Sequence, residues 1–409
     1  MTDFNAAKPG PLSGLKVIEL AHVMAGPACG RMLSDLGADV IKLERPGGED
    51  SRHMAPPYLG TDSAAYVMMN RGKRDICVDL KSPIGKRAFL DLIKDADVLI
   101  ENFRKGTMDR LGLGYDQLQT VNPRLIYCEI SGYGRTGPLA DEGGFDLMAQ
   151  AMSGLMSITG EGPGRPPVKV GAPVGDIGAG LLATIGVLAA LAERQRSGLG
   201  QRVDTSLFEA ALFQTLWQSA IYLASGNVPG AMGSAHPLDG PYQAFETQDE
   251  WIVVGAANQA NWLRLLRVLD AGPLADDPRF RENPDRMRNL AALVETLTPI
   301  FQTDTASNWL QRLADGDVPA APILAMDKVL AHPQTLARDM LVDIAHPDLG
   351  QTKTLGLPIK FSRTPGRVQG VVSPRLGEHA RDVLKAAGWS DSDIDQAFQD
   401  GALSATEIA

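Results

Sequence analysis

Short β-branched runs alternate with helix-patterned segments through the first two hundred residues, and this alternation constrains the fold more than any other feature of the chain. Residues 15–21 (LKVIELA), 39–44 (DVIKLE), 97–103 (DVLIENF) and 125–130 (LIYCEI) have the length and composition of strands. Between them, 27–38 reads as a helix. Residues 83–96 place Phe89, Leu92 and Ile93 on one helical face, behind a proline suited to a first turn. Apolar strands separated by helical crossovers predict an α/β fold: a parallel sheet with helices outside it.

Past the sheet pattern, a long apolar helix is expected from Asp176 through Ala192. Its densest run, Ile177 to Ala192, has 16 residues against the ~20 needed to span a bilayer, so it reads as a buried helix. Residues 202–226 read as a strand leading into another helix. The pattern then changes: 227–245 hold three glycines and three prolines, followed by a hairpin in YQAFETQDEWIVVGA and helices at Trp262–Leu269 and Leu290–Phe301. The expected division is a large domain over 1–225, a smaller α+β domain over 226–320, and a C-terminal segment, 321–409, returning to the large one. With 39 basic against 49 acidic residues, the net charge of −10 disfavours nucleic acid and anionic membrane as partners. Three cysteines without a CxxC argue against a disulfide framework or structural zinc and fit a reducing cytoplasm.

Ligands of open α/β sheets bind beyond the carboxyl ends of the strands, so the residues there are the first candidates for chemistry. They are His22 to Pro27, Arg45 to Gly48, Arg104 and Lys105, and Gly132 to Arg135, a rim of arginines, a lysine and small residues suited to an anion. Further basic residues cluster at Arg71, Lys73, Arg74 and Lys81, and at Arg104, Lys105 and Arg110; they read either as a solvated face or as a host for a phosphorylated nucleotide. Glu44 imitates the ribose-binding acid of a dehydrogenase, but the GxGxxG spacing is absent. Six histidines show no metal-ligand spacing; His22 and His236 are the two worth keeping near a site. The most pointed feature is VGAPVGDIGAG (170–180), a single carboxylate flanked by glycines before the apolar helix. Asp176 there is open to two roles, helix N-cap or carboxylate nucleophile that a bulky acyl group can approach.

Taken together, LSGLKVIELAHVMAGPACGRMLSDLGADVIKLERPGGED, NRGKRDICVDLK, DVLIENFRKGTMDRLGL, SGYGRTGP and GAPVGDIGAG make the chain resemble the class III CoA-transferases, the formyl-CoA and carnitine CoA-transferase group. The resemblance implies a Rossmann-like large domain with a small inserted domain, in an interlocked homodimer. It puts the nucleophile on Asp176. It puts contacts to CoA on Met24, Ala25, Arg45, Val78, Asp79, Leu80, Lys81, Asn102, Phe103, Arg104, Arg110, Gly143, Gly144, Phe145 and Asp146. CoA and acyl-CoA would be substrates, with no permanently bound cofactor, no metal, and a small carboxylic acid as the other partner. Met24 stands where formyl-CoA transferases carry glutamine, and MGSAHPLDGPYQ (232–243) replaces their glycine-rich loop, which turns the expectation from oxalate or formate towards a dicarboxylate such as succinate. The alternatives are an α-methylacyl-CoA racemase of the same superfamily and a non-catalytic CoA-binding protein. Against the racemase, Phe145 occupies the position where those enzymes place a histidine, and a phenyl ring carries no proton.

Overall fold

A computed structural model of the chain describes residues 10–346, 350–366, 368 and 373–406. Six parallel strands form the large sheet: β1 (Lys16–Glu19), β2 (Asp39–Glu44), β3 (Arg74–Val78), β4 (Val98–Glu101), β5 (Ile126–Ser131) and β6 (Arg202–Ser206). They stand in the order β3-β2-β1-β4-β5-β6, with a short strand, Leu403–Ser404, pairing antiparallel on the β3 edge. This is the doubly wound order, in which the chain reverses direction between β1 and β4 and opens a crevice at their carboxyl ends.

The two-residue period of each strand divides the core. Val17, Val40, Val98 and Ile126 face one side, where α1 (Ala25–Asp35) and the long α4 described below pack on them. Ile18, Ile41, Leu99 and Tyr127 face the other, against α2 (Pro83–Ile93) and the C-terminal helices Ala380–Ala386 and Asp391–Gln399. Burial on both faces is why these strands read as continuous apolar runs. Next come α3 (Asp146–Met152) and α4 (Val174–Ser197). At 24 residues α4 is longer than the sequence pattern indicated, and by length and composition alone it could cross a membrane. Here it covers the sheet with Ala179, Ala183, Val187 and Ala190, while Ile177, Leu181 and Ile185 remain exposed along another face, so the expectation of a wholly buried helix is corrected. Close approach to α1 depends on Gly180, where a Cβ would lie 2.6 Å from the Ala25 carbonyl oxygen.

By its internal contacts the chain forms two compact units, 1–153 with 170–214 and 333–409, and 154–169 with 215–332. These limits differ from 1–225, 226–320 and 321–409: residues 154–169, 215–225 and 321–332 all go with the smaller unit. After α5 (Leu207–Phe213), which belongs to the large unit, the smaller one contributes α6 (Leu216–Ser225), the hairpin β7 (Tyr242–Glu246) and β8 (Trp251–Gly255), and the edge strand β9 (Ala320–Pro322). Its core gathers Phe245, Ile252, Trp262, Leu297, Phe301 and Trp309, closed by the Trp309 Nε1–H donating to the Phe301 carbonyl at 2.7 Å. Arg286 is fully buried there and donates to the carbonyls of Gly240 and Phe280.

Strand β3 was not foreseen, because its flanking residues read as a charged face. Arg71 is instead fully buried and forks onto Asp35 at the end of α1, with donor–acceptor distances of 2.5 and 2.7 Å. Burial raises the Asp35 pKa even against Arg71, so the carboxylate depends on its partner. Lys73 is buried too, and Arg74 pairs with Asp39. Replacing Arg71 by Met would leave the Asp35 charge with only Arg31, 3.9 Å away and without a hydrogen bond to it, and should cost about 3 kcal/mol in urea unfolding, whereas Arg71→Met with Asp35→Leu should recover most of that loss. Equal destabilisation of the single and double variants would show that the pair is not what holds this corner.

Candidate active site

Because β1 to β5 run parallel, the loops that follow them gather at one edge of the sheet. Met24 is the residue before α1 and Ala25 its buried first residue. Arg45 follows β2, exposed, with its Nε–H donating to the Gly48 carbonyl and its guanidinium paired with Asp50. Val78 ends β3 and, with Leu80 just beyond it, turns its side chain into the core; Asp79 accepts the Lys81 N–H, and Lys81 is exposed. After β4, the Asn102 amide donates to the His22 carbonyl at 2.8 Å and accepts the His22 N–H at 3.0 Å, tying together the loops on either side of the crevice. The Phe103 ring lies 5.5 Å from that of His22. Arg104 backs onto Gly143, Gly144 packs on Gly132, and Phe145 is exposed before α3. Arg110 bonds Thr107 one turn away.

Asp176 stands at the same edge, since the first turns of α4 lie against the start of α1 and its far end reaches Asp97, just before β4, through Arg194. It is the third residue of α4; the helix begins after Pro173, so Asp176 is not the N-cap. The cap comes from elsewhere: Asp146, first residue of α3, accepts the Gly175 N–H at 2.7 Å. The other Asp146 oxygen accepts from Gln150 Nε2 at 2.6 Å, and Gln150 Oε1 accepts the Val170 N–H. The Asp176 carboxylate has no hydrogen bond or ion pair among the described residues. Burial, and next the neighbouring Asp146 charge, push its pKa up to about 6. An ionised, half-buried carboxylate without donors is equipped to act as a nucleophile.

Several sequence candidates have other partners. Arg135, expected on the rim, is buried and donates to Glu101 at 2.8 Å and to the Phe103 carbonyl at 2.9 Å. Burial raises the Glu101 pKa to about 8 despite that contact. Glu44, the imitation of a ribose-binding acid, is enclosed by Arg52 and the Tyr66 hydroxyl. Burial lowers the His22 pKa, so its imidazole is neutral at pH 7. His236 belongs to the smaller unit, stacked on Tyr242, with Nδ1 accepting the Asp239 N–H. Gln150 was missed, although its place four residues after Asp146 on an amphipathic segment was the available signal.

Residues 12–380 match the family profile described as CoA-transferase family III. Over 391 residues the chain is 40% identical to the succinate–glutarate CoA-transferase of Agrobacterium fabrum, covering 94% of this chain and 97% of that one. It is 39% identical over 387 residues to the acetyl-CoA:oxalate CoA-transferase of Acetobacter aceti, covering 94% and 98%. The crystal structure of a CAIB/BAIF family protein from Brucella suis superposes with a TM-score of 0.83 at 40% identity, over 92% of this chain and 99% of that one.

A reaction that uses the Asp176 carboxylate needs it ionised, and its raised pKa makes the acid limb fall at an unusually high pH for aspartate. The rate should therefore drop as pH falls through about 6. Asp146→Asn keeps an acceptor for Gly175 while removing the like charge, so the limb should move to lower pH. A pH–rate profile whose limb is the same in wild type and variant would contradict this assignment.

Proposed function

The chain belongs to CoA-transferase family III and is a CoA-transferase, and we propose that it passes CoA from an acyl-CoA donor to a small dicarboxylate through covalent chemistry at Asp176. The observation that carries the reading is the placement of Asp176: the first turn of α4, at the ligand edge of the sheet, with no partner among the described residues and a pKa near 6. A carboxylate tuned close to the working pH is both ionised and basic enough to react.

An Asp176 oxygen attacks the thioester carbonyl of the donor. The C–S bond breaks, CoA leaves as thiolate, and a mixed anhydride remains. The thiolate then attacks the aspartyl carbonyl, forming an aspartyl-CoA thioester and releasing the donor acid as carboxylate. The acceptor carboxylate attacks that thioester, CoA leaves again, and its thiolate takes the acyl group from the new anhydride, regenerating Asp176. Each step exchanges one activated acyl bond for another, so no nucleotide is consumed. The backbone and side chains of the rim, from Met24 and Ala25 through Arg45, Lys81 and Arg104, would hold CoA in the large unit. Succinate and glutarate are the preferred acids by likeness to the Agrobacterium relative, and oxalate returns to consideration by likeness to the Acetobacter one. Three buried free thiols suit a reducing cytoplasm.

The working form in this reading is an interlocked homodimer. Its support is unpaired apolar surface: Ile177, Leu181 and Ile185 form a stripe on α4, and α6 buries none of its residues while exposing Leu216, Trp217, Tyr222 and Leu223, the last to 82%. Dilution to nanomolar concentration followed by native mass spectrometry should find only dimer until the protein unfolds; a folded monomer would sink the idea. The chemistry has its own test. Asp176→Asn should keep the fold yet lose transfer by several orders of magnitude, because an amide is a poor nucleophile. Wild type incubated with acyl-CoA should yield a hydroxylamine-sensitive adduct at Asp176, with succinate, glutarate and oxalate then compared as acceptors. Normal turnover by the Asn variant, with no adduct mapped to Asp176, would refute the mechanism.

A further inference from the structure

Residues 21–27, the end of the β1–α1 connection and the first turn of α1, are held at three points by polar side chains reaching them from three other parts of the large unit. Lys42 on β2 donates to the Ala21 carbonyl at 2.8 Å. Asn102, after β4, takes both the N–H and the carbonyl of His22. Lys73, before β3, donates to the Pro27 carbonyl at 3.2 Å and to Asn70 Oδ1 at 2.8 Å. Between these anchors Val23 has φ 67°, a left-handed conformation that is a genuine outlier for a β-branched residue and persists only where the surroundings enforce it.

Both lysines are buried, and both converge on one carboxylate. Glu19, the last residue of β1, is fully enclosed and accepts from Lys42 at 3.2 Å and Lys73 at 2.8 Å, with Glu49 2.9 Å from Lys42 as the second counter-charge. Gly30 is what admits this arrangement beneath α1: a Cβ there would sit 1.7 Å from a Glu19 oxygen. Taking two ammonium groups and two carboxylates out of water costs several kcal/mol per ion before pairing, so a simple apolar filling would serve stability as well. What the two lysines add is a pair of donors aimed at the Ala21 and Pro27 carbonyls, beside the Asn102 amide that takes both backbone groups of His22.

We propose that Glu19, Lys42, Lys73 and Asn102 are positioning residues for acyl-CoA: they lock the strained connection at Val23 and the first turn of α1 behind it, so that Met24 and Ala25 meet the substrate. The proposal rests on the reading of this chain as a CoA-transferase whose β1–α1 loop touches acyl-CoA. It also assigns Lys73 to this segment rather than to a phosphate.

The test compares two full-length variants with wild type. Glu19→Gln with Lys73→Met is charge-balanced and removes the Pro27 anchor; Val23→Pro cannot adopt φ 67°, so it forces the segment out of its locked form while leaving the buried charges in place. Positioning predicts that the KM for acyl-CoA rises, by roughly ten- to a hundredfold in the double variant as expected for a displaced binding segment. The KM for the acceptor acid should stay near wild type in both variants. A purely structural role would lower kcat in step with the folded fraction and leave the acyl-CoA KM untouched. That outcome in Val23→Pro overturns the proposal even where the double variant does not fold. Wild type that forms no adduct with acyl-CoA would instead count against the nucleophile reading, leaving the KM comparison to judge the loop.

Discussion

Ion pairing inside the carboxyl edge of the sheet is the interaction on which the rest of this molecule depends. Three of the parallel strands end in a buried glutamate, Glu19, Glu44 and Glu101. Each has a cation brought to it from a loop or a neighbouring strand: Lys42 and Lys73 for Glu19, Arg52 for Glu44, Arg135 for Glu101. A carboxylate enclosed there without a partner would be strongly destabilising. The loops must therefore fold back over the strand ends in one arrangement, and the same donors then fix the loop carbonyls of Ala21 and Phe103 and the Pro27 carbonyl in the first turn of α1. The ligand edge is thus shaped from below by charge matching, whereas the two faces of the sheet are shaped by apolar packing.

That division explains what could be read from the chain. Period-two patterning and apolar density are properties of a few adjacent residues, so β1, β2, β4 and β5 and the inner face of α2 were legible. Charge matching is a property of residues far apart: Lys73 and Glu19 are 54 positions distant, Arg71 and Asp35 are 36. Nothing local distinguishes a lysine that will be buried from one that will be solvated, so the basic cluster around β3 was read as surface or phosphate site and the strand inside it was overlooked. Asp176 shows the complementary case. The glycine-rich approach to α4 marked its importance, but the helix starts two residues earlier and takes its cap from Asp146, a partner 29 residues away from Gly175. Resemblance to a family supplied the nucleophile where spacing left two roles open.

Asp146 joins these two levels of organisation. Its carboxylate completes the first turn of α4, which fixes where Asp176 stands, and Gln150 holds it in place from within α3. The same negative charge, together with burial, opposes ionisation of Asp176, while the dipole of the helix start favours it. Burial first, and the Asp146 charge next, bring the value up to about 6, which still leaves the nucleophile ionised at neutral pH. Donors to Asp176 itself would have lowered the value further and tied up the lone pairs that must attack a carbonyl carbon. The structure places its hydrogen bonds on the neighbour instead, so that the reacting carboxylate is fixed through its backbone and its oxygens are left to the substrate.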